Sequence, residues 1–583
     1  MSTFTLNNQE YMELDEVADY QFNLKESIEI AIENIELYER TEFCDVEFEK
    51  NIWCFFISTS SIECILRIDF NKIYLLPETI DNKIIDELLI VLKCWVGGLI
   101  PKVEVTTIQA SYTHVINSIL ETDFFDIYYI NKFIDEINSI ESSYKGHKIS
   151  SLLNFLDFYN NIDAYKEYVI ALINIEYPNS AVRKIPSAND VLTFSWVLED
   201  FFLKTPIDDW RYTYYYPLKL WWMITMAIPI RIGEFLSIKK HGIYQSNGRY
   251  IMELKRNKQR RNTKRVQLVD KLEVTQSVYN AAQEYIRLVE KYGESETLVS
   301  YRAYRHIGKL HCFSGSKQKR NPNRIVLGNF SRILDSFYDN VISSEQYNLS
   351  VRKKNNDWEQ LIINDRRRGI FFDIERRLRP NDTRHLAFII LLLQGFHPVE
   401  IARLGGHTNV YSQRHYHYHE EFMIDSEVLK IIRSFNLTNK HNNTRVLISN
   451  DNNVDMNKEF RIKHIFSPTS VPKKQWDKLE IGYCTAMPKD CSSPCFKCEH
   501  WRIDLEEFEL KREDIEQWIN SIDDKVRSAY RALYNLHKQF YENDETAINP
   551  VISNNINKQA KLIIDLLESK ELIKCNLRRA NHE

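Results

Sequence analysis

The sequence predicts a mainly α-helical protein of several domains, with a small β-hairpin near its middle. Three observations point that way. A chain of 583 residues suits roughly two to four domains. Glycine and proline number only 15 each, so few helix breaks are expected. Apolar residues recur at i, i+3, i+4 over most segments, and strict alternation is confined to a few.

Residues 1–100 mix acidic helical text with the alternating segment Ile52-Trp53-Cys54-Phe55-Phe56-Ile57 and read as a small α+β accessory domain. Residues 101–182 read as all-helical, through Ile116, Ile119 and Leu120, then Ile130, Phe133, Ile134 and Ile137, then Leu152, Phe155, Leu156 and Tyr159. Pro178, Asn179, Ser180 and Ile185-Pro186-Ser187 suggest a linker. A larger domain follows over 183–440. Asp190 or Asn189 can cap a helix from Val191 to Phe202, and Pro217 suits the first turn of an apolar helix to Ile228. Tyr250 to Leu254 alternates like a strand, Asn257 to Asn262 is a polar turn, and Arg265 to Leu268 is the expected return strand. Helices resume to about residue 440. The stretch 440–460 is rich in Asn and Asp and reads as a linker. Residues 460–583 carry a cysteine cluster and a long helix. In that helix Ile515, Ile519, Ile522, Val526, Ala529, Leu533, Leu536 and Phe540 keep a 4-3 spacing. This seam is expected to pack on the protein itself, with pairing to a second copy as the alternative.

The composition, 44% hydrophobic and 27% charged, is that of a soluble globular protein. No signal-like start and no apolar run of roughly 18–20 residues is present, so a cytoplasmic protein without a membrane partner is expected. The ten cysteines then suggest reduced thiols. The net charge of -5 is uninformative, but its distribution is not. Lys255, Arg256, Lys258, Arg260, Arg261, Lys264 and Arg265 form one basic cluster, and Arg366, Arg367, Arg368, Arg376, Arg377 and Arg379 another. Such patches suit phosphate binding, or else a solvated face.

The densest chemistry lies in Pro380 to Tyr416. Asn381-Asp382-Thr383-Arg384-His385 opens an apolar helix, Leu404-Gly405-Gly406-His407 follows, and Arg414-His415-Tyr416 closes the stretch. Upstream, Ile230-Arg231-Ile232-Gly233-Glu234-Phe235-Leu236 adds an arginine beside an apolar helix. Arginine's fixed fork suits an anionic phosphate. Paired glycines let the backbone pass close to a site. Tyr416, nine residues past His407, is a hydroxyl nucleophile that needs nearby positive charge.

In this order the residues resemble the tyrosine recombinase (phage integrase) family over roughly residues 105–430. That family combines an arginine in an R-x-x-E-L-like helix, a hairpin lysine, H-x-x-R, L-G-H and a tyrosine nine residues on. The resemblance implies a helical core-binding domain (101–182) and a catalytic domain (183–440) closing on duplex DNA as a C-shaped clamp. It implies DNA cleavage and rejoining through a 3′-phosphotyrosine, with no ATP or metal in the chemistry. Arg231 and Arg384 would grip the scissile phosphate, His407 would hydrogen-bond it, and Tyr416 would attack. Lys258 would be the general acid, with Lys255 and Lys264 as rivals. Lys255, Arg256, Arg260, Arg261, Lys264 and Arg265 would contact DNA. Four protomers would act on two sites, with accessory proteins of a mobile element as candidate partners.

Two positions depart from the family pattern. Asn381 stands where a histidine is usual; it can donate a hydrogen bond to phosphate but cannot carry a proton. The interval from Arg231 to Arg384 implies an insertion within about 290–375, where Lys317, Lys319, Arg320, Arg352, Lys353 and Lys354 would extend the DNA contact. The alternating His415, His417 and His419 could suggest a metal site, but a strand would aim all three one way without supporting partners. In the C-terminal segment Cys484, Cys491, Cys495 and Cys498 meet the ligand count of a structural zinc. Free thiols are the alternative. A similar tail occurs in transposon-type relatives of the family. A type IB topoisomerase-like enzyme and a catalytically inactive DNA-binding regulator are the other functions the residues allow.

Overall fold

The computed structural model of the chain describes residues 22–37, 45–58, 63–140, 142–176, 184–254, 256, 271–312, 323–353, 358–407, 410–435, 437–439, 446–448, 477–484, 501–503, 507, 510–542 and 550–580. It is mainly helical with small sheets. The chain divides into two compact units, Met1–Arg183 and Lys184–Glu583. Among the described residues no helix is long and apolar enough to cross a membrane.

The first unit contains α1 (Leu24–Glu36), the antiparallel pair β1 (Ile52–Ser58) and β2 (Glu63–Asp69), then α2 (Asn82–Leu99), α3 (Val105–Glu121), α4 (Ile130–Ser139), α5 (Ser142–Phe158) and α6 (Tyr165–Ile173). The segments read separately as accessory and helical domains share one core here. Trp53 and Phe55 of β1 belong to the same apolar cluster as Leu92, Ile116, Phe155 and Tyr168. Hydrogen bonds tie them as well: the Tyr112 hydroxyl donates to the Asp69 carbonyl at 2.7 Å, and Trp95 Nε1 to Asn154 Oδ1 at 2.9 Å. A two-stranded hairpin has too little apolar surface to stand alone, so it takes the helices as its second layer.

The second unit opens with α7 (Ala188–Lys204) and α8 (Trp210–Thr225). Ser187, not Asn189 or Asp190, caps α7, and Asp190 completes a capping box three residues on. Pro217 lies inside α8 rather than at its start. Asp209 caps the helix, and Tyr212, Tyr215, Tyr216, Trp221 and Trp222 are all buried. Aromatic burial carries the helix through a residue that lacks an N–H donor.

Next come the short α9 (Ile232–Leu236) and the strands β3 (Ile243–Ser246), β4 (Arg249–Glu253) and β5 (Lys271–Val274). The strand expected at Tyr250 is β4. Its described antiparallel partners are β3 and β5, with Glu253 opposite Lys271. The expected turn and return strand at 257–268 lie outside the described residues. Helix α10 (Gln276–Val289) precedes the region read as an insertion, and α11 (Tyr301–His311), α12 (Leu327–Phe337) and α13 (Trp358–Arg367) lie within it.

The remaining helices are α14 (Asp382–Leu393), α15 (Pro398–Gly405), a 3-10 stretch at Val410–Tyr418, α16 (Glu420–Met423) and α17 (Val428–Ser434). Strand β6 (Leu437–Asn439) ends just before the stretch expected as a linker, and that stretch contributes β7 (Val446–Ile448), which pairs antiparallel with β6 and in parallel with β5. A small sheet, β8 (Asp477–Lys478), β9 (Tyr483–Cys484) and β10 (Trp501–Arg502), precedes the long helices α18 (Arg512–Glu542) and α19 (Pro550–Ala580). The apolar seam of α18 is intramolecular: Ile515, Ile522, Val526, Leu533 and Phe540 join the core of the second unit.

In the first unit, α1 and α2 meet at Gly97, where an added Cβ would lie 2.7 Å from Ala31 Cβ and 3.0 Å from its Cα. Gly97→Val is therefore expected to destabilise this unit by about 1–3 kcal/mol. Gly98→Ala, which meets nothing within 4 Å, should be neutral or stabilising by up to about 1 kcal/mol. Urea unfolding of the two variants checks the contrast.

Candidate active site

The site grows from a buried carboxylate. Glu234 lies in the first turn of α9 and is fully buried. Its Oε2 accepts from the backbone N–H of Arg231 at 3.0 Å, and its Oε1 from Arg231 Nη1 at 3.1 Å. Arg256 adds a second guanidinium, with Nη1 3.5 Å from Glu234 Oε2. A buried carboxylate is tolerated only when paired and hydrogen-bonded in this way. Glu234 thus fixes two arginines, a role that sequence reading missed. The signal was present in the three-residue offset, which suits a capping-box return.

Arg231 keeps its side chain 27% exposed, and its Nη1 reaches the Gly406 carbonyl at 3.5 Å. Arg256 departs from the expectation of a DNA contact. Its side chain is fully buried, and Nη2 donates to the Leu404 carbonyl at 2.9 Å. It acts as an internal strut between α9 and the end of α15. Lys255, Lys258, Arg260, Arg261, Lys264 and Arg265 lie outside the described residues.

Helix α14 brings in the second arginine. Its first turn is braced by buried Asp382, which accepts from Arg376 Nη1 at 2.8 Å and from the Arg379 N–H at 2.6 Å. Helix α8 holds the same turn through Trp221 Nε1 to the Pro380 carbonyl (3.2 Å) and Thr225 Oγ1 to Thr383 Oγ1 (2.8 Å). Asn381 precedes this helix, and its Oδ1 accepts from the Ile232 N–H at 3.3 Å. It therefore braces α9 against α14.

Arg384 is 5% exposed and makes no ion pair with a described carboxylate. Its Nη1 donates to the Pro229 carbonyl at 2.5 Å, its Nε to the Tyr416 hydroxyl at 3.0 Å, and its Nη2 meets His407 Nε2. Burial pulls its pKa below the usual arginine value, and neighbouring Arg231 adds to that. A buried cation of this kind favours an incoming anion.

Tyr416 is 5% exposed. Its ring stacks on Phe388 with centroids 3.8 Å apart, and the His407 ring lies 5.9 Å away. The paired glycines now have a physical reason. A Cβ at Gly405 would strike Phe388 Cζ at 2.5 Å, and so disturb the ring under Tyr416. Gly406 ends α15 in the left-handed region (φ +66°), which brings His407 toward Arg384. Tyr411, five residues before Tyr416, is 49% exposed, and its hydroxyl accepts from Arg414 Nη1 at 2.9 Å.

The histidines after the tyrosine do not lie in a strand. Val410–Tyr418 is 3-10 helical, so neighbouring side chains diverge. His419 Nε2 lies 3.3 Å from His385 Nδ1, while His417 packs on Tyr534 and His537 of α18. Among the described residues no group of three His, Cys, Asp or Glu is arranged to hold a metal.

The other basic positions separate into two kinds. Arg352 is buried between Asp365 and Glu375, and Arg376 and Arg377 pair with Asp382 and Asp339, so these brace the fold instead of extending a DNA surface. Lys353, Arg366, Arg367, Arg368 and Arg379 are exposed. Lys317, Lys319, Arg320 and Lys354 lie outside the described residues. Cys484 ends β9 opposite Trp501 of β10, and residues 485–500 lie outside the described residues. Cys491, Cys495 and Cys498 fall in that segment.

No family model matches this chain, and no curated protein is significantly similar to it.

The site also carries a pH dependence. His397 caps α15 and is buried, which pushes its pKa down to about 4. Burial also pulls His537 well below the usual histidine value, helped by His417 and His397. Between about 4 and the unfolded value of about 6.5, the unfolded chain binds protons that the folded chain does not. Stability is therefore expected to fall as the pH drops through that window. His397→Asn, which keeps a capping oxygen, should flatten the fall. Urea midpoints measured from pH 7 to pH 4.5 check it.

Proposed function

We propose that this protein is a tyrosine site-specific recombinase, the integrase or transposase of a mobile element. One observation carries the reading: buried Arg384, which pairs with no described carboxylate, shares hydrogen bonds with the Tyr416 hydroxyl and the His407 ring, close to partly exposed Arg231. A guanidinium bonded to a tyrosine hydroxyl, with an imidazole and a second guanidinium next to it, suits an incoming phosphodiester.

In this reading Arg231 and Arg384 hold the non-bridging oxygens of the scissile phosphate. The Tyr416 oxygen forms a bond to phosphorus as the bond to the 5′-oxygen breaks. His407 takes up the tyrosyl proton, and a hairpin lysine, Lys258 first among them, protonates the leaving 5′-oxygen. The resulting 3′-phosphotyrosine keeps the energy of the broken bond. A 5′-hydroxyl attacking it rejoins the strand without ATP. The substrate would be duplex DNA, and four protomers would work on two sites. Exposed Arg366, Arg367, Arg368 and Arg379 would track phosphates.

The position of Asn381 favours a second reading. Its amide oxygen is spent on the Ile232 N–H, and it cannot shuttle a proton, which suits a DNA-binding regulator with the same fold. A nicked suicide substrate separates the two. The recombinase is expected to form an SDS-resistant protein–DNA complex that maps to Tyr416. Tyr416→Phe should abolish the complex while leaving DNA affinity within about twofold, since a single hydroxyl is lost. A complex that persists in Tyr416→Phe rules out this nucleophile.

A structural zinc on Cys484, Cys491, Cys495 and Cys498 goes with the same reading, because the four thiols fall within fifteen residues of the sequence. The purified chain is expected to hold about one zinc, and the double variant Cys491→Ser, Cys495→Ser to lose it, as measured by atomic emission.

A further inference from the structure

The segment that follows Tyr416 is fastened to the C-terminal helices at several points. The Tyr530 hydroxyl of α18 donates to the His417 carbonyl at 2.7 Å, one residue past Tyr416. The His417 ring lies 5.0 Å from the ring of Tyr534 and 5.3 Å from that of His537. Arg527 also meets Glu420 and Glu421, but in surface ion pairs that add little to this fastening. From α19, Lys570 Nζ donates to the Ile424 carbonyl at 2.9 Å, and Glu571 Oε2 accepts from Ser426 Oγ at 2.6 Å.

The Tyr416 ring stacks on Phe388, its hydroxyl accepts from Arg384 Nε, and a small apolar cavity beside it is lined by Phe388, Leu392, Ile401, Tyr416 and His417. The 3-10 backbone that carries it has weaker internal hydrogen bonding than an α-helix. The Tyr530 bond meets the backbone one residue past the tyrosine, and it is buried. Burial also raises the Tyr530 pKa, so this hydroxyl stays a donor across the working pH range.

We propose that Tyr530 is a positioning residue for the active site: its hydrogen bond to the His417 carbonyl sets the backbone that aims Tyr416. The C-terminal helices are then part of the catalytic apparatus, although they lie more than a hundred residues beyond the tyrosine in the chain. The inference rests on the reading of Tyr416 as the nucleophile.

Tyr530→Phe tests it in the full-length protein, because it removes the donor and keeps the buried ring. Amide exchange over residues 413–424, without DNA, is expected to rise roughly two- to tenfold, the range for one lost hydrogen bond. Single-turnover formation of the Tyr416–DNA complex at saturating nicked DNA should slow by a similar factor, with DNA affinity unchanged. Arg527→Gln on the same helix loses only exposed ion pairs and should change neither measurement. Unchanged exchange in Tyr530→Phe overturns the proposal. So does faster exchange with an unchanged rate at saturation, or an equal effect from Arg527→Gln. If the wild-type protein forms no complex at all, the recombinase reading fails, and increased exchange then assigns Tyr530 to packing only.

Discussion

The architecture of the site depends on one buried ion cluster. Glu234 is fully buried and is tolerable there because Arg231, Arg256 and a backbone N–H meet its oxygens. Removing either guanidinium would leave a buried charge partly unpaired. That requirement sets the start of α9, joins it to the end of α15 through the Leu404 and Gly406 carbonyls, and leaves Arg231 partly open to solvent. The charge that is free to meet an anion is thus held in place by one that is not.

A second layer surrounds Arg384. Its guanidinium is held by the Pro229 carbonyl, the His407 ring and the Tyr416 hydroxyl, and it lies over the face of Phe388. Phe388 in turn fills the space that Gly405 leaves open and supports the Tyr416 ring. The glycine, the phenylalanine, the tyrosine and the arginine therefore form one packed stack. A change in volume at any of them is felt at the others. The C-terminal helices close the far side of the same stack.

Much of the site could be read from spacing. The nine-residue interval from His407 to Tyr416 singled out a tyrosine that does lie against Arg384, and Tyr411 lies apart from it on Arg414. The α18 seam was legible for the same reason, since a 4-3 apolar spacing must be buried somewhere. Charge was less legible. Arg256, Arg352 and Arg376 looked like members of phosphate-binding patches, yet each is buried against a carboxylate, 22, 13 and 6 positions away respectively. Composition counts such cations but carries no information about which carboxylate the fold brings to them.

Local chemistry in the chain was enough to specify the helices, the strand at Tyr250 and the order of the candidate site residues, because hydrophobic period and fixed residue offsets are short-range properties. Tertiary structure decided the rest. It merged the N-terminal hairpin and helices into one core, carried α8 through Pro217 by aromatic burial, and turned Val410–Tyr418 into a 3-10 stretch. It also decided which arginines face inward and brought Tyr530 beside the tyrosine segment. These outcomes depend on contacts between residues tens to hundreds of positions apart, which no local pattern encodes.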